Sequence, residues 1–167
     1  MKTNGSHGSL FFCALILAFI MNGVCVAADT SKAARPNIYD ERADGAKQIS
    51  DALVTAKKQS KRVLLQFGAN WCVWCHKLHK VFESDKAVAE VLKASYVVVM
   101  VDVNKEHNKD VDGKYGRPTR FGLPVLVILD PDGKQLTTKN TSELEEGDHH
   151  NPEKVKTFLK EWAGRKS

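Results

Sequence analysis

The chain has 167 residues, 43% of them hydrophobic, which is enough for one ordinary domain with a buried core. Its formal charge of +5 comes from 25 basic residues scattered among 20 acidic ones. That pattern lacks the basic stripe a nucleic-acid surface needs, so no nucleic-acid partner is expected. Four cysteines, two of them closely spaced, do not make a framework of bridges between distant segments.

Residues 1–28 read as a secretory signal peptide. Lys2 is the only charged residue before Asp29, an apolar run from Leu10 to Met21 follows, and Ala27-Ala28 offers small residues for cleavage. The run falls short of the roughly 20 residues of a membrane span. No stable membrane insertion is therefore expected after cleavage, and an uncleaved anchor is the alternative. Cleavage after Ala28 removes one basic residue and no acidic one, so the charge falls from +5 to +4. Cys13 and Cys25 leave with the leader, and only Cys72 and Cys75 remain. The expected location is periplasmic or secreted, where disulfides form.

Residues 29–43 read as a flexible polar segment and 44–167 as one domain. Ala46, Ile49, Leu53 and Ala56 recur near a period of 3.6, predicting a helix over 44–58. Val63 to Phe67 reads as a buried strand, broken by Gly68-Ala69-Asn70. A second helix starts at Cys72 and carries Cys75, Leu78 and Phe82 on one face. Periodicity continues over 85–93. Tyr96 to Val103 is rich in β-branched residues and predicts a strand. Residues 104–120 read as a polar loop, and 125–129 as a strand. Asp130-Pro131-Asp132-Gly133 is a turn, leading to a hairpin partner over 134–138. Residues 139–151 are polar. Asn151-Pro152 opens a last helix, with Val155, Phe158, Leu159 and Trp162 as its buried stripe. This order suggests an α/β fold, a central mixed sheet flanked by helices on both faces.

The chemistry points to Trp71-Cys72-Val73-Trp74-Cys75, where a strand gives way to a helix. Two cysteines three apart on a first helical turn can bridge with little backbone movement. The helix N-terminus carries about half a positive charge, which favours the attacking thiolate. Cys72, at the exposed start, is the expected nucleophile. Cys75, one turn in, is expected to resolve the mixed disulfide.

These pieces, together with Gly122-Leu123-Pro124 before a strand, resemble the thioredoxin superfamily over about residues 45–165. Gly68-Ala69-Asn70-Trp71-Cys72 and the apolar Val73 look most like the C-terminal domain of the bacterial thiol:disulfide interchange protein DsbD and its single-domain relatives. The resemblance implies a thioredoxin fold and a cis-proline at Pro124. It also implies that the backbone of Leu123 pairs with substrate. Trp71 is read separately as a contact for partner proteins, with packing against the sheet edge as the alternative. The activity it implies is thiol–disulfide exchange with protein substrates, more as a reductase than as an oxidase. An upstream redox partner supplies the electrons; no cofactor or metal is needed, and a monomer is expected. Gln66 stands where the family often has a buried acid, so proton traffic falls to water, His76, His79 or another group, or is slower. Trp74, His76 and Gln66 are the expected modulators, and the Val73-Trp74 dipeptide tunes the potential. The alternative is a non-catalytic, chaperone-like module that holds peptides in the Pro124 groove.

Three rival motifs carry less weight. Cys72-x-x-Cys75-His76 matches a c-type haem attachment, but Trp74 is bulky and the site must stay open to proteins. Cys72, Cys75, His76 and His79 number enough for zinc, yet crowd one helix start. Asn108 to Gly113 resembles the beginning of a calcium loop whose twelfth position, Thr119, lacks a carboxylate. The 104–120 segment is a candidate for choosing partners. Asp102 ends a strand near the active-site side and is expected to be solvated there, with an electrostatic role as the alternative.

Overall fold

The computed structural model describes residues 35–164. The predicted leader and the segment up to 34 lie outside the described residues. Helix α1 (Gly45–Gln59) begins at Asp44, whose carboxylate accepts the Lys47 N–H at 3.0 Å, and ends at Ser60 in the left-handed region with φ of 53°. Strand β1 (Arg62–Gly68) follows. Helices α2 (Val73–Ser84) and α3 (Lys86–Ser95) share Asp85 as their junction. Its N–H donates to Val81 at 3.1 Å, and its carboxylate accepts the Val88 N–H at 2.9 Å.

Strand β2 (Tyr96–Asp102) lies parallel to β1, with Gly68 opposite Asp102. Strand β3 (Val125–Leu129) runs antiparallel to β1, and β4 (Gln135–Asn140) antiparallel to β3. The order β2-β1-β3-β4 makes a mixed sheet with β1 in its interior. Side chains alternate across β1. Val63, Leu65 and Phe67 join α1 on one face; Leu64 joins α2, α3 and the C-terminal helix α5 (Pro152–Glu161) on the other. The mixed sheet and two helical layers are the predicted thioredoxin architecture. Among the described residues, no helix is long and apolar enough to cross a membrane.

Two segments read from sequence as polar, one of them as a loop, contain structure. Within 104–120, helix α4 (Lys109–Lys114) forms, and Val111 with Tyr115 docks on the α1 face of the core. These residues lie four apart, one helical turn, in an otherwise polar run. The resemblance to a calcium loop dissolves here, because Asp112 accepts from the Thr119 N–H at 3.1 Å and from its hydroxyl at 2.9 Å. Within 139–151, the short strands β5 (Glu145–Glu146) and β6 (His149–His150) pair and lean on α2.

Candidate redox site

β1 ends at Gly68, and a tight turn, closed by the Cys72 N–H donating to the Ala69 carbonyl at 3.0 Å, starts α2. Cys72 is the N-cap, with extended backbone. Its Sγ accepts the Cys75 N–H at 3.1 Å. The two cysteines form a disulfide with a Cα–Cα distance of 5.3 Å. An N–H at a helix start aimed at one sulfur favours negative charge there when the bond opens. Cys72 retains 5% exposure and Cys75 none. The start of the helix is thus more covered than its position in sequence suggests, because Ile38, Trp74, Met100 and Leu123 pack around the pair and Tyr39.

The other sequence-predicted residues gather unevenly. Trp71 is 62% exposed, and its indole N–H donates to Asn104 Oδ1 at 3.1 Å. Trp74, half-buried, meets the His150 ring edge-on at 5.3 Å, with Lys77 Nζ 4.4 Å from its centroid. Leu123 packs beside the cysteines, and the Leu123–Pro124 peptide bond is cis. Pro124 is buried, and its carbonyl accepts the Thr141 hydroxyl. His76 donates Nε2–H to the Asn70 carbonyl at 2.7 Å, which sets its tautomer. His79 faces Glu83 at 3.1 Å. Gln66 is fully buried and donates to Tyr39 Oη at 2.7 Å.

Three features were not legible in sequence. Tyr39, placed by sequence in a flexible segment, is only 3% exposed. Burial first, and the Asp102 charge last, hold its phenol well above the ordinary range against the opposing Gln66 hydrogen bond. A Cβ built on Gly68 would lie 2.1 Å from Tyr39 Oη and 2.6 Å from Cys75 Sγ, so only glycine leaves room there. The available signal was Ile38-Tyr39, a large apolar pair in a polar stretch. Asp102, expected at a solvated strand end, is 1% exposed. Its Oδ2 accepts the Asn104 N–H at 3.1 Å and lies 3.0 Å from His107 Nδ1, because the 104–120 segment folds back over the strand end. His150 is fully buried, and neither ring nitrogen has a hydrogen-bond partner among the described residues. Desolvation, then the charges of Lys77 and His149, push its pKa down to about 4.

A family model described as thioredoxin-like matches residues 45–131, from α1 to the turn after β3. A 90-residue stretch is 31% identical to the thiol:disulfide interchange protein DsbD of Vibrio vulnificus, covering 54% of this chain and only 15% of that longer protein. Among solved structures, the disulphide isomerase of Xylella fastidiosa Temecula1 superposes with a TM-score of 0.69 at 32% identity, over 77% of this chain and 98% of that one. The reduced C-terminal domain of DsbD from Neisseria meningitidis shares the fold, with a TM-score of 0.51 at 20% identity over 71% and 96% of the two chains. Sequence and fold agree that the chain belongs to the thioredoxin-like family within the thioredoxin superfamily, and its thiol–disulfide redox role rests on the Cys72–Cys75 couple.

Proposed function

We propose that this protein is an exported thiol–disulfide oxidoreductase that passes electrons to protein disulfides in the periplasm or outside the cell. The observation that carries the reading is the asymmetry of the pair. Cys72 Sγ sits at a helix N-terminus and receives an N–H at 3.1 Å, and Cys72 retains 5% exposure while Cys75 retains none. Reduced Cys72 attacks a substrate disulfide, and a mixed disulfide forms as the substrate's other sulfur leaves. Cys75 then attacks Cys72 Sγ and releases the reduced substrate. The exposed Trp71, with Leu123 packed beside the cysteines and Pro124, forms the substrate contact, while Trp74, His76 and Gln66 tune the couple. The leader directs export, the relatives named as thiol:disulfide interchange proteins support exchange with protein thiols and disulfides, and the chain acts as a monomer supplied by an upstream dithiol.

Trapping tests the assignment. Cys75→Ser should accumulate mixed disulfides through Cys72, and Cys72→Ser should form none and should not reduce insulin. Equal trapping by both variants, or insulin reduction surviving Cys72→Ser, would overturn it. The reduction potential tests direction: a value near thioredoxin's roughly −270 mV supports a reductase, and one near about −120 mV an oxidase.

A further inference from the structure

Cys75 poses a problem that Gln66 cannot solve. When a partner thiolate attacks Cys72 Sγ, a partner–Cys72 bond forms, the Cys72–Cys75 bond breaks, and Cys75 leaves with the electron pair as a thiolate. The partner's second thiolate then attacks its own bound sulfur, leaves oxidised and expels Cys72 as the second thiolate. The anion on Cys75 is formed at a residue with no exposure, where an unpartnered charge is costly. The side chain of Gln66 carries no acid.

Tyr39 fills the gap geometrically. Its hydroxyl oxygen and Cys75 Sγ share the space left by the missing side chain of Gly68, 2.1 Å and 2.6 Å from where a Cβ would stand. Gln66 Nε2 donates to that oxygen at 2.7 Å, so the hydroxyl is used as an acceptor and its single hydrogen remains to be given. The backbone is fixed from the other side by Asn70. The nearby charge is Asp102, which stands opposite Gly68 on β2 and is tied to His107 and the Asn104 N–H. A negative group there disfavours a phenolate and keeps Tyr39 a neutral donor. On α2, the neighbouring His76 is committed to the Asn70 carbonyl.

We propose that Tyr39 donates its hydroxyl hydrogen to the Cys75 sulfur when the disulfide opens, stabilising the buried thiolate in place of a titrating acid, with Gln66 orienting the donor. The inference rests on the redox reading above, and its test is independent of turnover. The reduced protein, with cysteine Cβ labelled with carbon-13, is titrated by NMR in the wild type, in Tyr39→Phe and with 3-fluorotyrosine at position 39. Tyr39→Phe should raise the Cys75 pKa by about one unit, a tenfold loss of thiolate, and leave Cys72 where it was. Opening of the disulfide by dithiothreitol should slow about as much. Fluorotyrosine, a stronger donor with the same ring, should shift Cys75 the opposite way, and it serves if the Phe variant does not fold. An unmoved Cys75, equal shifts at both cysteines, or shifts of one sign in both variants would overturn the proposal. A wild type inert towards protein disulfides but with a Tyr39-dependent Cys75 would sink the redox reading alone.

Discussion

Asn70 grips Tyr39 at both ends of its main chain: its Oδ1 accepts the Tyr39 N–H at 2.9 Å and its Nδ2 donates to the Tyr39 carbonyl at 3.0 Å. The same Oδ1 takes the Ile38 N–H at 2.9 Å. One side chain in the turn before Cys72 thereby mimics a strand partner and draws the lead-in over the disulfide. Without these bonds, three backbone groups in a part-buried site would need new partners.

Asn70→Ala should therefore cost about 2–3 kcal/mol, at roughly 1 kcal/mol for each lost bond. Denaturant unfolding reads the total, and hydrogen exchange should accelerate at the Ile38 and Tyr39 amides ahead of the sheet. Unchanged protection at those two amides would show that the lead-in is held by apolar packing instead.

Gly68→Ala should be among the most damaging small substitutions in the chain. The added methyl would fall 2.1 Å from Tyr39 Oη and 2.6 Å from Cys75 Sγ, so the phenol or the start of α2 must move. Overpacking of this kind costs about 1–3 kcal/mol. Thermal melts of the oxidised protein should show the loss, and Tyr39 should become accessible to nitration. A variant as stable as the wild type with Tyr39 still protected would contradict the packing described.

His150 makes stability depend on pH. Its pKa falls from 6.5 to about 4 because the ring is buried beside Trp74 and near Lys77. Between those values the unfolded chain binds a proton that the folded chain refuses. The stabilisation is complete above about 6.5 and is lost as pH falls towards 4, on the order of 3 kcal/mol in all. Urea unfolding of wild type and His150→Phe at pH 7 and pH 4 separates this effect from the carboxylates common to both. The wild type should lose more stability on acidification; parallel losses would remove His150 as the cause.

Trp71→Ala should separate substrate contact from stability. Trp71 is 62% exposed and its indole hydrogen bond among the described residues is to Asn104, so unfolding free energy should change by less than about 1 kcal/mol. Exchange with a protein disulfide should slow at least about fivefold, while exchange with a small-molecule disulfide stays near wild type. Equal slowing with both substrates would place Trp71 in the chemistry instead of the contact.

Local patterns carried the order of elements, the dithiol at a helix start and the alternating faces of β1, because apolar periodicity and cysteine spacing act over a few residues. They also supported the resemblance that the family match bears out. Helix α4 escaped them: six residues including Gly113 form too weak a helix alone, and docking of Val111 and Tyr115 on the core decides it. The polar groups of the site escaped them as well. Tyr39 meets Gln66 across 27 positions of sequence, Asp102 is covered by a segment that folds back, and His150 reaches Trp74 through a two-strand hairpin. Whether a polar residue is solvated or sealed depends on which distant element packs over it. Cysteine spacing at a predicted helix start was enough to place the sulfurs; the surroundings of Cys75 needed the folded chain, because Tyr39 in the lead-in, Gly68 at the end of β1, Met100 on β2 and Leu123 before β3 come together there only by packing.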